Sequence, residues 1–287
     1  MSQGPSLTQE AWPTCPDHDG PWQLGIRPED IRLRRRILTE AWERPGAAGA
    51  DLLSTEERET LDRIGKSSRI PLEGPLPMVP VAQLHAADVP DLLCPDGTDL
   101  LQVLWCPFGH GEDELPRTEL RWRTTATLTG PYTPAPWLPV IGNDDYLPEP
   151  CVLHPETVTE YPAPHELPEE LAERIEAWGD QHEFFYQYDL AVAPGCKTGG
   201  HAPWSFRDPF PMACPTCGSN VRPLLTLDGC EWDGGSVSWR PLEDAHDAGE
   251  YFRGPANPTQ LTFGRGYSLQ LHVCTASSDH PHLQSVQ

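Results

Sequence analysis

Proline, at 34 of 287 residues, limits this chain more than any other feature. Each proline fixes φ and removes a backbone donor, so long uninterrupted helices and central strands are hard to build around so many. Proline and glycine together number 58 of 287 residues (34 and 24), short of the roughly 25–30% that marks low-complexity disorder. Apolar residues at 38% and 10 tryptophans supply material for one large domain or two modest ones. The expectation is a globular body of many turns and short strands.

Local signals divide the chain in three. Residues 1–26 are Pro- and Gly-rich without a period and read as an extended arm. Residues 27–75 read as a helical pair. In the first helix Pro28 occupies a first-turn position, Glu29 and Asp30 suit the dipole, Pro45-Gly46 stops it, and Ile31, Leu38 and Trp42 share a face. The second begins at Ser54 in a Ser-x-x-Glu capping box with Glu57 and ends near Gly65. From about Leu76 to residue 287 the texture is short and alternating, which predicts a sheet-rich body, one continuous domain with the rest. Strand candidates are 99–105, 119–128 ("ELRWRTTATL"), 184–193 ("FFYQYDLAVA"), 221–228 and 266–274, with one helix between Pro168 and Gly179 carrying Leu171, Ile175 and Trp178 on one face. The class expected is α+β, sheet-dominated, with mixed or antiparallel pairing. "LLQVLWC" and "LLTLDGC" form a faint repeat that would relate two sheet halves by a pseudo-twofold axis.

Charge narrows the partners. There are 20 basic and 43 acidic side chains, for a net −23. Such a surface repels phosphate backbones and anionic membranes, which argues against nucleic acid and membrane binding and suits a basic protein partner. The densest basic cluster, Arg32, Arg34, Arg35 and Arg36, reads as a solvated helix face. The first residues carry no basic leader and no apolar run reaches eighteen residues, so a soluble, cytoplasmic protein is expected. Nine cysteines, an odd number spread over the whole length, then read as buried thiols or metal ligands rather than disulfides.

The stretch "PGCKTGGHAPWSFRDPFPMACPTCG", residues 194–218, concentrates the chemistry. It is no phosphate loop: the first glycine of the pattern is missing, and Pro203 and Pro209 stand where a helix should follow. Nor does Cys214-x2-Cys217 open a helix as a redox dithiol would; Gly218 and Ser219 follow, then a strand. That order is a metal knuckle, and tetrahedral zinc needs two further soft ligands. Cys274 and His280 of "CTASSDHPH" are the favoured pair, because the strand ending at Cys274 presents it opposite Tyr267, Leu269, Leu271 and Val273. Cys196 with His201 is the runner-up. Such a site would be structural, with no open coordination position; the plainer alternative is two buried thiols in a tight turn.

"KTGGHAPW" followed by "CPTCGSNVRPLLTLD" resembles the YwqG-like domain of unknown function, and is similar at greater distance to the C-terminal domain of the programmed cell death protein 2 family. The resemblance covers Lys197 to the end and, more loosely, "DLLQVLWCP". It departs in one extra residue before the proline-tryptophan pair and in Thr226, where the family often carries glutamine. It implies a mostly β fold and no catalysis, with Lys197, Gly199, Gly200 and Trp204 as binding residues. Eukaryotic relatives of that kind escort a newly made basic ribosomal protein; small bacterial ones would neutralise a toxin as immunity proteins.

Cys106 with His110, Cys15 with His18 and Cys151 with His154 are further close Cys–His pairs, able to join in a second metal site or to act as nucleophile and base. The loop from Asp244 to Glu250, with His246 and Asp247, could hold a cation or an acid–base pair. An enzyme acting through Cys106 and His110 or through that loop is therefore the competing expectation to a binding protein, and a regulatory module without a charged partner the third.

Overall fold

In the computed structural model, residues 12–18, 20–46, 49–128, 135–245 and 254–287 are described. The strands begin with β1 (Thr14–Cys15) and β2 (Trp22–Gly25), followed by helices α1 (Pro28–Trp42) and α2 (Thr55–Ile64). After β3 (Ser68–Pro71) and β4 (Leu76–Pro77) come β5 (Val79–His85), β6 (Leu100–His110) and β7 (Leu115–Arg123). Helix α3 (Glu169–His182) precedes β8 (Lys197–Thr198), β9 (Val221–Asp228), β10 (Ser268–Cys274) and β11 (Leu283–Val286). The protein is α+β, and every described strand pairing is antiparallel.

Two meanders carry the body. One has the order β5-β6-β7 and the other β11-β10-β9-β8. Their central strands are buried on both faces, β6 from Leu100 to Cys106 and β10 from Ser268 to His272, although one face of β10 is polar, with Ser268, Gln270 and His272. A single apolar cluster joins the sheets, drawing Leu101, Val103 and Trp105 from β6, Leu225 and Leu227 from β9, and Leu269 and Leu271 from β10. Trp105 is fully buried, so its indole N–H needs a partner and finds the Tyr146 carbonyl at 2.8 Å. At the seam the Thr118 hydroxyl of β7 lies 2.6 Å from His282 Nε2 and 2.8 Å from Gln284 Oε1 of β11.

The helical pair forms where the local signals placed it. Pro28 opens α1, and at α2 the Ser54 hydroxyl accepts from the Glu57 N–H while the Glu57 carboxylate accepts from Ser54, with Gly65 closing the helix. The buried face of α1 differs from the expected one: Pro28, Ile31 and Ala41 are buried, while Leu38 and Trp42 are 37% and 53% exposed. Only half of the arginine cluster is a solvated face: Arg32 and Arg36 are exposed, whereas Arg34 and Arg35 are engaged. Arg35 donates to the carbonyls of Leu147 (2.7 Å), Asp144 and Gln260 (3.1 Å each) and pairs with Glu149 at 3.1 Å, and Arg34 pairs with Asp144. These carbonyls belong to irregular segments that lack strand partners, so the guanidinium completes their hydrogen bonding. The pair is inserted rather than free: β2 pairs with β3 at its base, and β1 pairs with β4 just before the first meander.

Two strand expectations are corrected. The run 119–128 is strand only to Arg123, because the Asp99 carboxylate accepts the Thr125 N–H at 2.6 Å and draws the chain into a short turn over 125–127. The alternating run 184–193 is a π-helical turn, Tyr186–Ala191, not a strand. There Asp189 accepts the Phe185 N–H at 2.8 Å and the Val192 N–H reaches the Gln187 carbonyl at 3.2 Å, local bonds that outweigh the alternation. Helix α3 runs three residues past Gly179 and ends at Glu183, in left-handed conformation with φ 60°. Gly179 is there because the Phe184 backbone folds back over it, donating to its carbonyl at 3.0 Å.

Candidate metal centres

The knuckle is built by backbone bonds. The Cys214 N–H donates to the Ser219 carbonyl and the Gly218 N–H to the Cys214 carbonyl, both at 2.8 Å. Gly218 takes φ 71°, a conformation that costs glycine little. A bridge from Ala213 to Asn220 closes the turn just ahead of β9. Register then does the rest: Cys274, at the end of β10, pairs with Val221 at the start of β9, so it arrives beside the knuckle. His280 follows in the turn between β10 and β11.

Cys214, Cys217, Cys274 and His280 are brought together, with their ligand atoms all within 4.8 Å of one another. The Cys217 and Cys274 sulfurs are 3.6 Å apart, and His280 Nδ1 lies 3.5 Å from Cys214 and 3.4 Å from Cys274. A tetrahedral ion with Zn–S near 2.3 Å and Zn–N near 2.0 Å has S–N edges of about 3.5 Å and S–S edges of about 3.8 Å, so the donor set fits a metal of that size. Hydrogen bonds from Ser219 pull the Cys217 thiol down to about 6, in favour of the thiolate, whereas burial pushes Cys274 up. The Ala276 N–H points at the Cys274 sulfur at 3.3 Å.

A second group has the same shape. Cys15, His18, Cys106 and His110 also place their ligand atoms within 4.8 Å. Two of the close Cys–His pairs of the sequence thus meet, while the third, Cys151 and His154, stays apart. Cys15 and Cys106 are both fully buried, and burial, then the Cys15 thiol, pushes the Cys106 thiol far above its ordinary range. That is the opposite of the shift an activated nucleophile needs. Among the described residues two Cys/His groups are therefore able to bind a metal ion, and all nine cysteines are free of disulfides.

The lysine-glycine turn does different work. Lys197, its side chain 11% exposed, pairs with Glu160, and it also donates to the His201 carbonyl at 2.9 Å. Burial lowers the Lys197 pKa more than Glu160 raises it. The same carboxylate accepts the N–H groups of Ala193 and His201 at 2.7 Å each. Gly199 and Gly200, with φ 64° and 69°, shape the turn around it. Trp204 lies beside Gly200 and His201 along the wall of an open cleft of about 210 Å³, its ring edge-on to Phe210 and His165. The runner-up ligands sit elsewhere: Cys196 is enclosed beside the backbone of Asp228 (3.4 Å to its nitrogen), and His201 Nδ1 faces Glu166 at 2.8 Å. In the acidic loop Asp244 ends a short turn, and residues 246–250 lie outside the described residues.

No single motif pointed to the joining of Cys15 and His18 with Cys106 and His110. The signal that could have done so is a likeness between central strands: "LQVLWC" of β6 and "LQLHVC" of β10 both end on a ligand cysteine, four residues after a buried glutamine, Gln102 or Gln270.

The fold and these groups define an α+β protein of two antiparallel meanders with two candidate metal centres. Comparison with family models, with curated proteins and with solved structures found no match to this chain. No helix among the described residues is long and apolar enough to cross a membrane.

Proposed function

We propose that this protein is a non-catalytic binding module that takes a basic polypeptide on an acidic, aromatic surface, with zinc held by Cys214, Cys217, Cys274 and His280 fastening the sheet behind it. The observation that carries the reading is α3 and the turn after it. Of this 14-residue helix only Gly179 is buried. Its apolar stripe is left largely uncovered, with Leu171 38% and Trp178 43% exposed, and it continues into Phe185 (74%) and Tyr188 (51%). Around the stripe stand Glu169, Glu170, Glu173, Glu176, Asp180 and Glu183 against a single arginine, Arg174. Exposed aromatics ringed by carboxylates suit a partner that is both cationic and apolar. A second copy of this chain is a poor occupant, since each carries a net −23. The resemblance to escort proteins of basic clients points the same way, and the fully buried Cys106 offers no accessible nucleophile for the enzyme reading.

The test uses a defined probe. A lysine- and arginine-rich peptide with interspersed leucine and tryptophan is titrated into the full chain, with an acidic peptide of the same length as control. Binding of the basic peptide alone is expected, weakening at least tenfold between about 0.05 and 0.5 M salt. Trp178→Ser with Phe185→Ser should weaken it by a similar factor. No binding, or binding indifferent to these substitutions, or self-association through α3 in its place, overturns the proposal.

A further inference from the structure

We infer that Cys15, His18, Cys106 and His110 form a second zinc centre, the counterpart of the first by internal duplication, which clamps the N-terminal arm to the central strand of the first meander. Three observations carry this independently of function.

The histidines are arranged as ligands. His18 Nδ1 faces Gln23 Oε1 at 3.2 Å, and His110 Nδ1 faces the Asp17 carboxylate at 3.2 Å. In each ring Nδ1–H can donate outward, which leaves Nε2 with its lone pair turned inward. His110 Nε2 then lies 3.8 Å from the Cys15 sulfur. His18 Nε2 is buried with no hydrogen-bond partner, a cost that a metal bond would remove. Asp17 is itself held by Arg117 at 2.9 Å, so the outer shell of His110 is fixed.

The ligand chemistry balances. Two thiolates and two neutral imidazoles leave Zn²⁺ with no net charge, which suits a site whose cysteines are both fully buried. The Cys214 centre, with three thiolates, carries one excess negative charge and keeps Cys217 exposed.

The topology repeats. In each half a Cys-x2-(Cys/His) turn is closed by antiparallel pairing just ahead of a meander: Cys15 with Leu76 before β5, and Ala213 with Asn220 before β9. In each, the central strand carries the third ligand, Cys106 within β6 or Cys274 at the end of β10, and the histidine follows downstream, His110 at the far end of β6 or His280 in the turn after β10. The halves differ in their insertions, the connection from β9 to β10 being longer than that from β5 to β6. Residues between His18 and β4, including α1 and α2, separate the first turn from its meander, whereas the second runs directly into β9.

Elemental analysis of the purified full-length protein tests this, because the two centres report separately. About two equivalents of zinc are expected, falling to about one in Cys106→Ser and to about one in Cys214→Ser. Cobalt substitution of the unmutated protein gives a readout that no variant's folding can spoil. Its thiolate charge-transfer band should have the intensity of five sulfur ligands, about five-thirds that of a Cys3His centre. One equivalent that vanishes with Cys214→Ser and persists in Cys106→Ser overturns this inference and leaves the first centre standing. One equivalent with the converse behaviour keeps this inference and removes the knuckle. No zinc, with no cobalt band, removes both.

Discussion

At the scale of the residue, the Lys-Thr-Gly-Gly turn is decided by Glu160, whose side chain is 7% exposed. A buried carboxylate is tolerated only if paired and hydrogen-bonded, and here Lys197 supplies the charge and Ala193 and His201 the amides. The two glycines should therefore respond differently. An added Cβ at Gly199 meets nothing, so Gly199→Ala should cost only about 1 kcal/mol for its positive φ; at Gly200 the Cβ would collide with the Glu160 carboxylate, and Gly200→Ala should cost at least about 2–3 kcal/mol in denaturant unfolding. Asp228 gives a prediction with a sign. Burial raises its carboxyl from an ordinary 3.8 to about 7. Between those values the folded state binds the extra proton, so its contribution to stability is complete below about 4 and is lost as pH rises through about 7. Asp228→Asn should hence be neutral near pH 4 and stabilising by up to about 4 kcal/mol at pH 8, read from unfolding at the two pH values. In the sequence the lysine and glycines were visible, but Glu160 was not: it lies 37 residues upstream of Lys197 in a proline-rich run without a motif.

At the scale of the element, legibility followed the range of the bonds. Both ends of α2 could be placed from sequence because its cap is made within four residues, by Ser54 and Glu57. Ser54→Ala should lower the local stability of α2 by about 1 kcal/mol, measured as faster amide exchange at its first turn with little change in the meanders. The run 184–193 failed for the complementary reason. Its apolar alternation reads as a strand, yet an edge to pair with never arrives, and a side chain within the run, Asp189, closes a turn in its place. The face of α1 was misjudged in the same way: periodicity located an apolar stripe, but the strands and loops beneath α1 chose Ile31 and Ala41 over Leu38 and Trp42.

At the scale of the whole molecule, charge acts in two opposed senses. With a net −23, self-repulsion works against the folded state. Raising ionic strength from about 0.01 to 0.15 M shortens the screening length from about 30 to 8 Å, so Tm should rise. Surface ion pairs lose strength over the same range, but at about 0–1 kcal/mol each they are the smaller effect in a chain with 43 acidic and 20 basic side chains. The same salt should weaken the proposed complex with a basic peptide. A Tm that falls with salt would show that specific pairs, not net charge, dominate. The sequence by itself determined what depends on near neighbours: the α+β class, the capped helices, the knuckle turn and the residue types able to hold a metal. The strand ending at Cys274 also pointed to its meeting with the knuckle, which the structure makes across 57 residues from Cys217. Only the tertiary structure decided which of the remaining Cys–His pairs meet: Cys15 reaches His110 across 95 residues, because strand pairing brings distant segments side by side and no local pattern encodes a partner at such a distance.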